Sequence, residues 1–198
     1  MQPDHVLPFE FSAPVPTDRL VLRLMTGADV DDIHLYQSRE DVCRYLLFEP
    51  RSRDEVEKQV ARHAVATTLE KDGDYWQLAI ELPATGTTPA RVIGDIYFTI
   101  ANLENSKAEI GWSLHPDFAG RGYASEAANA VLRIAFQTLR LHRVVAELDP
   151  RNDASVALCK RLGMREEAFF VKDLWFRGDW ADTGMYAILR DEWEALHL

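Results

Sequence analysis

The apolar and polar positions along the chain change period near its middle. RLVLRLM, from Arg19 to Met25, alternates apolar and polar residues and predicts a first strand. ADVDDIHLYQ, from Ala28, predicts a short helix. In SRDEVEKQVARHAVATTLEKDG, Ser52 and Glu55 have capping-box spacing, so a helix opens at Ser52, and Gly73 reads as its stop. Strands follow: DYWQLAIEL (74–82), RVIGDIYFTIA (91–101) and AEIGWSL (108–114). The segments between them are short and turn-rich, which predicts an antiparallel meander. After Gly122 the period becomes 3.6. Ala128, Val131, Leu132, Ala135, Phe136 and Leu139 form a wide apolar helical face. HRVVAEL (142–148) is again a strand, and Asn152 caps a helix that Gly163 ends. AFFVKDLWFRGDWADTGMYAILRDEW predicts a hairpin and a short last helix. The proline-bearing residues 1–16 read as an N-terminal arm before a single domain over residues 17–198.

Composition narrows the classes. At 198 residues the chain suits one domain with a substantial core. No apolar run approaches the roughly 20 residues a membrane span needs, and the N-terminus lacks the pattern of a signal peptide. Cys43 and Cys159 are too few and too far apart for a disulfide framework, and no zinc-type spacing occurs. A cytoplasmic protein with no metal is expected, away from membranes. The net charge of −10 argues against broad nucleic-acid binding; it fits a cationic small substrate better, but many ordinary cytosolic proteins are equally acidic, and that bland reading comes first.

The candidate chemistry lies in HPDFAGRGYASEAANAVLRIAF, from His115 to Phe136. Here a Gly-Arg-Gly turn leads from a strand into a helix. A helix N-terminus presents unpaired N–H groups and partial positive charge, and glycines let backbone approach a phosphate. Four readings compete. A P-loop needs a Gly-Lys-Ser/Thr that is not present. A dinucleotide fingerprint counted from Gly120 meets Ser125 at its sixth position and follows strands of the wrong arrangement. A coenzyme A pyrophosphate loop of the form Gln/Arg-x-x-Gly-x-Gly/Ala matches at Gly122 and Ala124, with Ala119 in place of Gln/Arg. The bland reading is a plain strand-to-helix turn.

EIGWSLHPDFAGRGYASEA, ELDPRNDASVALCKRLGM, the opening TDRLVLRLM and the last hairpin ending DEW together resemble the GNAT superfamily of acyl-CoA N-acyltransferases. The closer likeness is to its Rim type, named for ribosomal-protein N-terminal acetyltransferases. The resemblance spans roughly residues 17–195 and implies an α/β (α+β) fold. That fold has a mixed, mostly antiparallel twisted sheet, flanked by helices, whose fourth and fifth strands splay apart. AEIGWSL and HRVVAEL would be those strands. The resemblance further implies acetyl-CoA in the gap. Gly111, Trp112, Ser113 and Leu114 would meet the pantetheine arm through their backbone. Gly120, Arg121, Gly122, Tyr123, Ala124 and Ser125 would hold the pyrophosphate, and Asn152 and Ser155 match the family's Asn-x-x-Ser helix start.

The implied reaction is direct attack of a primary amine on the acetyl thioester in a ternary complex. It needs a base for the ammonium proton and a donor for the leaving sulfur. Glu147 and Glu109 are the candidate bases, with an ordered water chain as the alternative. Many family members carry a Tyr as the acid where this chain has Cys159, so Ser155 is the expected donor. Cys159 reads as a buried small residue and not a nucleophile. Tyr45, Trp76, Tyr97, Trp112, Trp175 and Trp180, with Asp173, Asp179 and Asp182, are candidates for an acceptor cleft. The expected partner is a peptide N-terminus or a small cationic amine, and the expected state a monomer or homodimer. A non-catalytic acyl-CoA-binding module and a nicotinamide oxidoreductase are the competing classes.

Overall fold

The computed structural model describes residues 4–197. An eight-stranded sheet organises them, in the order β2-β3-β5-β6-β7-β8-β10-β9. Its strands are β2 (Val15–Pro16), β3 (Val21–Leu24), β5 (Tyr75–Leu82), β6 (Arg91–Asn102), β7 (Lys107–Leu114), β8 (Arg143–Leu148), β9 (Arg165–Phe176) and β10 (Asp179–Leu189). Two further strands, β1 (Phe9–Glu10) and β4 (Thr68–Leu69), pair with each other alone. Every pairing in the large sheet is antiparallel except β7 with β8. That exception follows from chain order, because a helix connects these two strands and reverses the chain between them.

One face of the sheet carries the larger core. α4 (Tyr123–Arg133) and α5 (Asp153–Arg161) pack there on Ile96, Phe98, Ile100, Ala108 and Ile110. The face predicted from the 3.6 period is the buried one: Ala128, Val131, Leu132, Ala135, Phe136 and Leu139 are each at most 1% exposed. Burying a large apolar side chain of this kind contributes about 1.5–3 kcal/mol. Residues Ile134–Thr138 continue α4 with a wider winding, in which the Leu139 N–H reaches back to the Ile134 carbonyl. On the other face α1 (Val30–Gln37) and α3 (Arg53–Ala64) form a smaller core, with Ile33, Tyr36, Val56 and Val60 buried. The short α2 (Glu40–Cys43) follows α1, and α6 (Arg190–His197) closes the chain.

One expectation from the sequence needs correction. The helix opened by Ser52 does have its capping box, with Ser52 Oγ accepting from the Glu55 N–H and the Glu55 carboxylate accepting from the Ser52 N–H. It ends at Ala64, however, well short of Gly73. The β-branched Thr67 and Thr68 leave the helix for a strand. The Thr67 carbonyl accepts from the Phe11 N–H and the Trp76 indole, and Leu69 is fully buried. The N-terminal arm is paired into the fold. Phe9 and Glu10 pair with Leu69 and Thr68, and Val15 and Pro16 with Leu22 and Val21. Phe11 packs edge-on against Trp76 at 5.2 Å. Residues 1–3 of that arm lie outside the described residues.

The topology that matters for chemistry is the parting of β7 and β8. They pair only at Lys107–Arg143, Ala108–Val144 and Glu109–Val145. Beyond that register β7 stays bonded to β6 as far as Leu114, and β8 stays bonded to β10 as far as Leu148. Two adjacent strands of one sheet are thus each held on their outer edge and open a wedge between their inner edges. The unpaired backbone groups on both sides of that wedge must meet a ligand or water.

Candidate functional site

Three cavities run through the wedge in sequence. The first, about 400 Å³, is lined by Trp112, Leu114, Ala119, Gly120, Ala124, Asn152, Ser155 and Arg161, among others. The second, about 100 Å³, lies inside the wedge between Ile110–Trp112 of β7 and Ala146–Leu148 of β8, and shares Trp112, Asn152 and Ser155 with the first. The third, about 200 Å³, opens on the far side between β8, the β9–β10 hairpin and the loop after α2. Tyr45 lines all three.

The glycine loop and the start of α4 border one end of the first cavity. Gly120 and Gly122 have φ of +73° and +81°, a left-handed conformation that a side chain would strain. Gly122 caps α4, so the first N–H groups of that helix open at the loop. Arg19 props the turn from outside. It donates to the Arg121 carbonyl at 3.0 Å, pairs with Glu126 at 2.7 Å and stacks on Tyr123. Arg161 lines the groove and reaches Ser125 Oγ at 3.2 Å. Arg19 and Arg161 were not found by sequence reasoning. The only signal for Arg161 is its place two and a half turns beyond Asn152, which puts a cation at the far end of α5 from the cap.

At the wedge, Asn152 Oδ1 accepts from the Ser155 N–H at 3.1 Å, which makes it the cap of α5. The bond occupies its carbonyl oxygen and leaves its amide N–H groups for the cavity. The Trp112 indole N–H donates to Ser155 Oγ at 3.2 Å. Cys159, one turn further along α5, is fully buried, and burial pushes its thiol up to about 12. It is a thiol packed in the core, where burial disfavours the thiolate.

The third cavity is acidic and partly apolar. Glu147, Asp149, Asp173 and Asp182 line it with Tyr45, Leu47, Leu174 and Phe176. Glu147 also lines the wedge cavity. Glu109, on the neighbouring strand, is held above its ordinary 4.5, first by burial and then by the negative charge of Glu147, against a smaller pull from Lys107. Of the aromatic candidates only Tyr45 lines this cavity. Trp76 is buried in the core, Trp112 stands in the wedge, Tyr97 lies against Tyr75, and Trp175 and Trp180 form an exposed cross-strand pair. Of the acids, Asp173 and Asp182 line it, whereas Asp179 accepts from the Trp180 N–H at the hairpin turn.

A buried carboxylate missed in the sequence lies beneath the site. Asp95 on β6 stands opposite Ser113 of β7. It accepts from Ser113 Oγ at 2.6 Å, Tyr36 Oη at 2.5 Å and Gln77 Nε2 at 2.5 Å. Burial raises its pKa, and these donors pull the other way without cancelling that effect. The same cluster pins Gln37, whose side chain accepts from Arg51 and whose carbonyl accepts from the Arg51 N–H and the Cys43 thiol. The loop carrying Tyr45 is thereby fixed at both ends. An Asp within an apolar strand, DIYFTI, is the one sequence signal for this cluster.

Known proteins share the sequence pattern and the fold of this chain. The sequence profile of the acetyltransferase (GNAT) domain family matches residues 19–165. An uncharacterized N-acetyltransferase of Bacillus subtilis, YnaD, is 32% identical over 179 residues, covering 90% of this chain and 98% of that protein. A [ribosomal protein uS5]-alanine N-acetyltransferase of Escherichia coli is 28% identical over 189 residues, covering 89% and 91%. Among solved structures, a GNAT-family acetyltransferase from Bacillus anthracis superposes with a TM-score of 0.79 at 28% identity, covering 90% of this chain and 99% of that one.

Proposed function

The chain belongs to the GNAT acetyltransferase family, and we propose that its amine acceptor enters from the carboxylate-lined side of the wedge while acetyl-CoA enters from the glycine-loop side. Members of this family are N-acetyltransferases that use acetyl-CoA, and this chain is one of them. The observation that carries the two-sided reading is that Glu147 and Tyr45 line both the wedge and the acidic cavity. The chain from residue 17 onward acts as one catalytic domain, with Val15–Pro16 as the edge strand of its sheet.

The residues present fit acetyl-CoA. The amides of Gly120 through Ser125, with Arg121 and Arg161, meet the pyrophosphate. The free edge of β7, from Gly111 to Leu114, and the Asn152 amide meet the pantetheine. When bound, acetyl-CoA supplies the acetyl group as a thioester. An ammonium has no lone pair, so Glu147 accepts its proton at the wedge, with Glu109 as the neighbouring carboxylate. A free N–H of β7 donates to the carbonyl oxygen as charge builds on it. Ser155 donates a hydrogen bond to the sulfur as the carbon–sulfur bond breaks. The net change is amine plus thioester to amide plus thiol, with the ammonium proton passing to the carboxylate and on to solvent.

The acceptor is a primary amine, either a peptide N-terminus or a small cationic amine. Four carboxylates around an apolar floor of Leu47, Leu174 and Phe176 support a positively charged group on a carbon chain. The test is thiol release with a panel of amines: a free-N-terminal alanyl peptide, its N-acetylated form, and linear polyamines. Turnover is expected only where a free amine is present. E147Q is expected to lower kcat by about 10²–10⁴-fold. Undiminished kcat in E147Q would remove Glu147 from the reaction.

A further inference from the structure

We propose that Trp112 is a positioning residue that aims the Ser155 hydroxyl at the sulfur of coenzyme A. This inference rests on the reading of Ser155 as the donor to the leaving group. A serine hydroxyl has one hydrogen and two lone pairs, and its rotor turns to suit its partners. Here the Trp112 indole N–H donates to Ser155 Oγ at 3.2 Å. An indole nitrogen can only donate, so this contact always occupies a lone pair of the serine oxygen and never its hydrogen. Among the described residues, Ser155 Oγ donates to no acceptor. The serine N–H is already taken by Asn152 Oδ1. The hydroxyl hydrogen is therefore left to point away from Trp112, into the cavity that Trp112, Asn152 and Ser155 line together.

The arrangement has a second consequence. A donor on Ser155 Oγ polarises the O–H bond, so the hydroxyl becomes a better hydrogen-bond donor without transferring its proton. The two residues come from different elements that line the same cavity, Trp112 from β7 and Ser155 from α5. Their contact thus sets the direction of the hydroxyl and braces the wall of the cavity at once. Fold support and chemistry are separable, because the ring and its N–H are separable by substitution.

The experiment is a cycle of W112F, S155A and the double variant, with W112H as the rescue. Phenylalanine keeps a ring in the wall and removes the N–H. The Nε2–H of an imidazole stands as many bonds from Cβ as the indole N–H and restores a donor. Two quantities are read: kcat and KM for acetyl-CoA, and the pH at which the thiol of bound coenzyme A ionises, followed by ultraviolet absorbance. W112F is expected to lower kcat about tenfold with KM changed less than about twofold. It is also expected to move the ionisation of the bound thiol to higher pH, as S155A does. The double variant should be no worse than S155A alone, and W112H should recover part of both losses. If W112F costs as much in the S155A background as in the wild type, or leaves the bound thiol unmoved, Trp112 only fills space and the proposal falls. If S155A itself leaves both quantities unchanged, the reading of Ser155 as donor falls first and takes this proposal with it.

Discussion

At the scale of single residues, carboxylates of this chain are kept in unlike surroundings. Glu109 is pushed up by burial and by Glu147, whereas Glu126 and Asp29 are held down. Burial works to raise those two, but Thr17 and Arg19 prevail at Glu126, and Arg23 with the Thr26 N–H prevails at Asp29. The sign of one perturbation is open to direct test. Removing the Glu147 charge removes a repulsion that disfavours ionised Glu109, so Glu109 should ionise at lower pH in E147Q than in the wild type. Carbon-13 NMR of the Glu109 carboxyl reads this directly, and an unchanged titration would mean that burial alone sets it. A local signature in the sequence marked Asn152 as a helix cap, whereas Ser155 and Glu147 entered through the family resemblance. Neither reached Asp95, Arg19 or Arg161. Their roles depend on partners 18, 107 and 36 positions away in the chain, which no local pattern encodes.

At the scale of elements, the starts of helices were legible and their ends less so. The capping box at Ser52–Glu55 and the cap at Asn152 are side-chain to backbone bonds made within three residues, so the sequence carries them whole. The end of α3 is decided by competition. Thr67 and Thr68 gain more from pairing with the N-terminal arm and from Trp76 than from another helical turn, and that arm lies almost sixty residues upstream. The cap also gives a clean stability prediction. S52A removes the Ser52 Oγ contact to the Glu55 N–H and should cost about 1 kcal/mol, a fall in Tm of about 2–4 °C. Because α3 lines none of the three cavities, affinity for acetyl-CoA should stay at the wild-type value. A thermal scan and a titration on the same variant check both halves, and a loss of affinity would show that α3 is coupled to the wedge.

At the scale of the whole molecule, one topological fact organises the rest. The sheet is continuous along both outer edges of β7 and β8 and opens only between them. The antiparallel meander was readable from short turns, and the splayed pair entered through family resemblance. Periodicity alone marks AEIGWSL and HRVVAEL as strands but is blind to whether two strands part after three paired residues. Where they part, neighbouring cavities with shared lining residues reach from the glycine loop past the start of α5 to the acidic side. In the function we propose, the sheet keeps the two substrates on opposite sides until they meet at the wedge. The measurement that tests this most directly is a calorimetric titration of the full chain with acetyl-CoA, with NAD and ATP as controls. Micromolar binding, about −8 kcal/mol, competed by coenzyme A and silent with NAD and ATP, is the predicted result. Failure of acetyl-CoA and coenzyme A to bind would contradict the account and leave Gly120 and Gly122 as a strand-to-helix turn.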